Sequence, residues 1–555
     1  MGQGSAGAGR GRGGDGRPVV LFVSHRERAC GVHEFGCRVF RALAPSPRYR
    51  FVYREVASAL QYHAALRESA PALVVVNHHP ATMPWLRPHV RAAHAVPHVG
   101  VLHEADQRVA DAAPLGVFDA LVVPDPTLVP AHSRVFRTGR VVFPWTGARA
   151  EPDVPTIGSF GFGFPNKGFE RLVRRVAEEW PRAVVRLHVP RSGMCDPDGS
   201  LWHETVARAR AAAAHTGIQV QVTSGVLDED GLCRFLAGNH LNAFLYDPME
   251  GRGVASTPDH ALAVGRPVAV SGSAMFRHLH GVTPSLVAEH RSLRAILAGG
   301  TAPLAPLVAA WSPERLRGEW EAIVDAVLAA GPVARPAAVV IPALPSGGRN
   351  RILDDAARAA LAPCEALLRE LVPEAMARKL PRANVQQAFV LGAVLEALAG
   401  RRAARILCVG AFEDTACMAL QELGHAVDEV DPLLNTDLEG FVAAHPERIG
   451  GYDVVFSTSV LEHVPDDSGF LRRIAELLAP AGVAVLTCDF QDAWRPGRPL
   501  PTSDVRLYTR DDLRRRVLAA LLPARPVDEP RWHEGREDFE FERVRYAFAT
   551  LVVQR

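Results

Sequence analysis

The feature that most constrains this chain is a rhythm that starts three times. Short apolar runs of strand length alternate with Ala-, Arg- and Glu-rich amphipathic stretches, first as PVVLFVS, ALVVVNH, VPHVGVLH and FDALVVP. Apolar runs followed by helical sequence suit strands buried between helices, so the pattern predicts parallel sheet covered by helices. The rhythm restarts after the Pro-containing stretch 152–155 with TIGSFGF, AVVRLHVP, IQVQVTS, LNAFLYD and RPVAVSG. It starts again at Arg405 with ARILCVG, HAVDEVD, YDVVFSTS, GVAVLTCD and YAFATLVVQR. Between the second and third cycles lie GPVARPAAVVIPALPSGG, whose Pro and Gly content predicts a linker, and an Ala/Leu/Glu-rich helical stretch. The expected class is α/β. The expected layout is a disordered leader over 1–17, α/β domains over 18–150 and 151–330, a linker over 331–349, a helical lid or connector over 350–404, and a third α/β domain over 405–555.

The 555 residues exceed what one core can use, and a prior of about 150 residues per domain agrees with three to four units. Arginine is abundant but scattered and offset by acids, leaving a net charge of +1, so nothing in the balance predicts a nucleic-acid partner. The opening MGQGSAGAGRGRGGDGR has no apolar core of a signal peptide. No apolar run approaches the ~20 residues that span a bilayer, so no integral membrane segment is expected and any membrane contact would be peripheral. The eight cysteines form no CxxC-type pair and several sit in apolar runs, which fits a reducing cytoplasm and no zinc site.

RILCVGAFED, 405–414, opens like a nucleotide-binding corner, an apolar run ending at Gly410. Such corners work through backbone approach at glycine and the N-terminal end of the following helix. A second run ends at Asp431, about twenty residues on, where an acid would hold a ribose hydroxyl or simply cap the turn before Pro432. The stretch YDVVFSTSVLEHVPDDSGFLRRIAELLAPAGVAVLTCDF then resembles the class I S-adenosylmethionine-dependent methyltransferases. The matching residues are Tyr452–Asp453, Glu462–His463–Val464, and Leu477–Leu478 with Pro480 and Gly482. The closing YAFATLVVQR is similar to that fold's antiparallel last strand. The resemblance implies S-adenosylmethionine as cofactor, held by Gly410, Glu413, Asp414, Asp431 and Glu462. Cys408 replaces an acid frequent in the family, and Phe412 and Asp414 replace later glycines. Methyl transfer needs positioning above all, with help from a base. His463 and Asp489 are the catalytic candidates. Alternatively, His463 is a structural histidine and Asp489 lines the acceptor pocket. PTSDVRLYTRDDL, 501–513, is expected to help form that pocket, with Thr509 as a helix cap.

In the first cycle, GVHEFGCRVFRAL places Gly31 and Gly36 at a turn into a helix. IGSFGFGFPNKGFERLV, 157–173, resembles the retaining nucleotide-sugar glycosyltransferases of the two-Rossmann (GT-B) type. The resemblance implies that Lys167 meets a donor diphosphate. YDPMEGRGVASTPDHALAVGRPVAVSG, 246–272, is similar to that family's donor-binding stretch, with Ala263, Gly265, Pro267 and Val268 in place. Of its two glutamates, Glu250 is offset and the second position reads His260. Arg252, Ser256 and Asp259 are candidates for the missing ribose or sugar contacts. NHHP, 77–80, and LHEAD, 102–106, end strands, and the resemblance makes His103 the residue facing the donor sugar. His78 and His79 have no acid or cysteine at ligand spacing, so no metal site is expected.

The two resemblances together imply two Rossmann-like domains in a GT-B arrangement, then a linker, a helical segment and a class I methyltransferase domain. The function they imply is O-methylation of a glycan or glycosylated acceptor, fused to a glycosyltransferase module with a nucleotide sugar as donor, in the cytoplasm, with a role in polysaccharide biosynthesis. Two alternatives stay open. The first module could bind sugar without turnover, or the chain could be a scaffold of degenerate Rossmann domains.

Overall fold

The computed structural model describes residues 16–28, 30–191, 196–333, 341–346, 348–399, 401 and 404–555. The expected leader (apart from 16–17), Cys195, and residues 334–340 and 347 of the expected linker lie outside the described residues. The chain forms two compact units, Met1–Arg335 and Pro336–Arg555.

The first unit contains two parallel sheets. β1 (Val19–Ser24), β2 (Arg50–Glu55), β3 (Leu73–Val76), β4 (His98–Val101), β5 (Ala120–Val123) and β6 (Val135–Arg137) pair in the order β2-β1-β3-β4-β5-β6. β1, β3, β4 and β5 are buried along their whole length, as their unbroken apolar runs require. β2 is an edge strand with only Phe51 buried. Its RFVYRE therefore carries no apolar run and escapes a reading based on such runs. β7 (Thr156–Phe160), β8 (Ala183–His188), β9 (Ile218–Thr223), β10 (Leu241–Phe244) and β11 (Val268–Val270) form the second sheet in the order β11-β10-β7-β8-β9. Strand order reverses between β1 and β3 in one sheet and between β7 and β10 in the other. These reversals open crevices at the carboxyl ends of the strands, where such sheets bind ligands.

Helix Pro313–Ala330 follows the second sheet in sequence and packs on the first. Leu316, Trp320, Ile323, Val324 and Val327 share a core with Val20, Phe22, Val75 and Val122. Its start is fixed by Ser312, whose hydroxyl accepts from the Arg315 amide, and by Pro313 in the first turn.

The second unit carries a mixed sheet. β12 (Ile352–Leu353), β13 (Ile406–Val409), β14 (Val427–Val430), β15 (Tyr452–Thr458), β16 (Leu478–Phe490), β17 (Arg525–Pro526), β18 (Phe539–Phe541) and β19 (Val544–Gln554) are its strands, with main order β12-β19-β16-β15-β13-β14. β14, β13, β15 and β16 run parallel. β19 runs antiparallel to β16 and takes β12, β17 and β18 as further antiparallel partners. The stretch expected to be helical throughout from 350 begins instead with β12, because Ile352 and Leu353 pair with Ala549 and Phe548. It continues as helices Asp355–Leu371 and Asn384–Leu398. The second of these is buried almost all round, its Phe389, Leu391 and Val394 packing with Val454, Phe456 and Phe548. Among the described residues, no helix is long and apolar enough to cross a membrane.

Candidate functional site

In the second unit the strand order reverses between β13 and β15, and a cavity of about 1280 Å³ opens there. Gly410 follows β13 at φ +83°, and a Cβ on it would collide with the Val460 side chain that follows β15. Glycine is therefore required twice, by the backbone conformation and by the close approach of the two loops. Asp431 closes β14, and its carboxylate ties the loops together: Oδ2 accepts from the Phe412 amide at 3.0 Å and Oδ1 from the Leu433 amide at 2.8 Å. Asp414 caps helix Thr415–Glu422, accepting from the Cys417 amide at 2.7 Å and from Gln387 Nε2 at 3.2 Å. Burial raises its carboxyl above the ordinary value. Glu413 sits at φ +54° and pairs with Arg378 at 3.1 Å and Lys379 at 3.7 Å, which anchors the segment before helix Asn384–Leu398 to the cavity mouth. Gly410, Glu413, Asp414, Asp431 and His463 all line this cavity. Gly410, where any side chain would collide, and the backbone-bound Asp431 at the second strand end together line one side of this cavity.

Glu462 and Asp489 lie behind the cavity wall. Glu462 occupies a single turn after β15, fully buried, and accepts from Ser459 Oγ at 2.6 Å. Ser459 lies at φ +56°, an unusual conformation for a residue with a Cβ, and lines the cavity. Asp489, near the carboxyl end of β16, is 4 % exposed and is hydrogen-bonded by Tyr546. Burial pushes both carboxyls above the ordinary range; Asp504 raises Glu462 further, and Glu462 and Asp504 both raise Asp489. His463 Nδ1 donates to the Ser503 carbonyl at 3.1 Å and stands 3.2 Å from Asp504 Oδ1. That ion pair lifts the imidazole to about 9, against a partial opposing effect of burial. The pairing with Asp504 thus favours the cationic, hydrogen-bond-donating form of the ring at neutral pH. Gln386, Ser459, Asp504 and Tyr546 were not singled out from sequence. The 501–513 loop was, and Asp504 is the residue in it that reaches the site.

In the first unit the two sheets meet across charged pairs. Arg252 forks onto Glu104 with two contacts of 2.7 Å, and Arg277 Nε donates to Asp125 at 2.8 Å. Asp259 is 2 % exposed and takes Arg140 through Nε at 3.1 Å and Nη2 at 2.6 Å, with Arg38 at 3.8 Å. His260 stands 3.4 Å from Arg38. Burial first, and the two guanidinium groups next, hold it well below its ordinary value, so it is neutral. His103 follows β4 and contacts Asn77 Oδ1 at 2.8 Å through Nε2, its pKa pushed down by burial to about 3. Lys167 precedes Gly168, at φ +65°, and its ammonium lies 4.1 Å from the centre of the Tyr246 ring, at the crevice between β7 and β10. Ser256 flanks helix Thr257–Ala263 without a side-chain cap bond, Glu250 is exposed, and a Cβ on Gly31 would meet nothing. Lys167, Asp259 and His103 thus lie at strand-end or cleft positions, while Arg252 is engaged by Glu104. Arg38 and Arg140, which the sequence did not point to, are buried against the Asp259 carboxylate. Among the described residues no group of three or more His, Cys, Asp or Glu is placed to hold a metal ion.

Residues 376–523 match the family model described as a methyltransferase domain, so the chain carries that domain in its second unit. No curated protein matches the chain. Among solved structures, it is similar to HepE of Anabaena in complex with UDP and glucose, at 12 % identity and TM-score 0.40, covering 56 % of this chain and 100 % of that one. A glycosyltransferase from Rickettsia africae matches at 10 % identity and TM-score 0.41, covering 56 % and 98 %. The trehalose-6-phosphate synthase OtsA matches at 12 % identity and TM-score 0.42, covering 55 % and 98 %.

Proposed function

We propose that the second unit transfers a methyl group from S-adenosylmethionine to a sugar-bearing acceptor, and that the first unit is a glycosyltransferase module acting on a nucleotide sugar. The observation that carries the methyltransferase reading is the corner at Gly410, where a required glycine, a backbone-anchored Asp431 and the 1280 Å³ cavity coincide within the matched domain. The cofactor supplies an electrophilic methyl carbon on a sulfonium. The chain's part is to seat it at Gly410 and Asp431, to close the mouth with the Arg378–Glu413 tie, and to present the acceptor from the side of Ser459, His463 and Asp489. Support for the glycosyltransferase reading comes from the sequence resemblance over 157–173 and 246–272. It is strengthened by Lys167 at a strand-order reversal.

Calorimetric titration of the full chain with S-adenosylmethionine and S-adenosylhomocysteine tests the first half. Micromolar binding that is weakened in Asp431→Ala is the expected outcome, and a well-folded protein that binds neither compound refutes it. Titration with UDP-, GDP- and dTDP-sugars tests the second half, with saturable binding weakened in Lys167→Ala expected and no binding by any of the sugars counting against it.

A further inference from the structure

Four hydrogen-bond acceptors behind the cavity wall of the second unit have no donor. They are Gln386 Oε1, Glu462 Oε2, Asp489 Oδ1 and Asp504 Oδ2. Gln386, Glu462 and Asp489 are each at most 4 % exposed, and the Asp504 side chain is 2 % exposed. The other atoms of the group are engaged: Gln386 Nε2 donates to Ser459 Oγ at 3.2 Å, Ser459 Oγ to Glu462 Oε1 at 2.6 Å, and Tyr546 to Asp489. Glu462 and Asp489 stand close enough to share a proton, and without one they face each other bare. Three carboxyl groups meet one imidazolium, His463, so even with one proton shared by Glu462 and Asp489 a negative charge is left unmatched. Gln386, Ser459 and His463 belong both to this group and to the cavity wall, so the cluster adjoins the space where an acceptor enters.

Buried acceptors without donors call for a ligand rich in donors. A hydroxyl brings one donor and two lone pairs, and the lone pairs would face oxygen. An ammonium brings three donors, no acceptor, and the missing positive charge. Among the described residues, the geometry holds no metal-binding group that would answer the same deficit. We infer that the methyl acceptor presents an amino group, as on an amino sugar, to Glu462, Asp489 and Gln386, so that nitrogen is methylated instead of the hydroxyl oxygen expected from the sequence. The inference rests on the methyltransferase reading and names its substrate class. In the reaction, an ammonium proton passes to the Glu462–Asp489 pair and frees the nitrogen lone pair. That pair forms the N–C bond as the S–C bond of the methyl donor breaks. The N-methylated ammonium departs with S-adenosylhomocysteine, and the acids return their proton to water.

The test uses the full chain saturated with S-adenosylhomocysteine, titrated by calorimetry with amino-deoxy hexoses carrying the amine at each ring position and with the matching hexoses. At least one amine is expected to bind about tenfold or more tightly than its hydroxyl counterpart. Asp489→Asn and Glu462→Gln should each abolish that preference, and Asp489→Asn should leave S-adenosylhomocysteine affinity intact. With isotopically labelled S-adenosylmethionine, the label should appear on nitrogen. Equal or tighter binding of the hydroxyl sugars, a preference that survives in both variants, no sugar of either kind binding, or label on oxygen overturns the inference. If wild-type protein fails to bind S-adenosylhomocysteine, the methyltransferase reading falls with it. If it binds and prefers hydroxyls, only the amine is lost. Thermal unfolding of both variants guards against misfolding, and the conclusion can be drawn from whichever variant melts like wild type.

Discussion

Asp259 in the first unit and Asp489 in the second are almost equally buried, at 2 % and 4 % exposure, yet their surroundings are opposite. Asp259 receives three hydrogen bonds from Arg140 and has a second guanidinium at 3.8 Å. Asp489 has one phenol as donor and two further carboxyl groups as neighbours. A buried ion pair with its partners in place is a device of the fold, and removing one member strands the other. A buried acid among acids has no such explanation within the chain. Burial alone therefore does not mark a functional residue. Burial with the wrong company does.

Four experiments test this contrast. The largest effect is expected for Asp259→Ala, which leaves Arg140 and Arg38 buried without their shared carboxylate and should destabilise the first unit by about 3–5 kcal/mol in urea unfolding. A loss below about 1 kcal/mol would mean that the pair is not a structural tie. Asp431 is an intermediate case, an acid satisfied by two backbone amides and open to the cavity. Asp431→Ala should weaken S-adenosylmethionine binding by about 1.5–3 kcal/mol, read by calorimetry. Asp489→Asn should go the other way from Asp259→Ala. Replacing a buried carboxyl that burial and its acid neighbours drive towards the neutral form by an amide of the same shape should leave the ligand-free melting temperature unchanged or raise stability by about 1 kcal/mol. A clear fall would show that the acid is matched after all. The smallest and most local effect is expected at His463. Asp504→Asn should bring its imidazole down from about 9 towards the ordinary 6.5, followed by the ring proton shifts in a pH titration. Because the folded value is raised, the stabilisation from this ion pair is fully present below pH 6.5 and fades as pH rises through about 9. The variant should therefore differ from wild type at pH 6 and converge with it above pH 9.

The fold was legible wherever strands were buried on both faces, as in β1, β3 and β15, because such strands carry a continuous apolar run. It was illegible at β2 and β12, whose existence depends on a neighbour to pair with and not on their own sequence. The position of helix Pro313–Ala330 on the first core was also hidden, since a helix's apolar stripe does not say which sheet it faces. At the site, the glycine corner and the acid about twenty residues on could be read from spacing alone. The charge of His463 could not, because it depends on Asp504, 41 positions further along and brought in by a loop. The same holds for Arg140 and Asp259, where sequence offered the acid as a sugar ligand and the fold gave it two arginines.

The return of helix Pro313–Ala330 to the first core makes the second sheet of the first unit an insertion within the first domain in all but name. Trp320, fully buried against Phe22, reaches its place only after the whole second sheet has been synthesised. A fragment ending near residue 150 would therefore expose the patch that Leu316, Trp320 and Val324 cover. For anyone dissecting or recombining this protein, the two halves of the first unit are one exchangeable part, and the workable seam lies beyond residue 331, not at the point where the strand rhythm restarts.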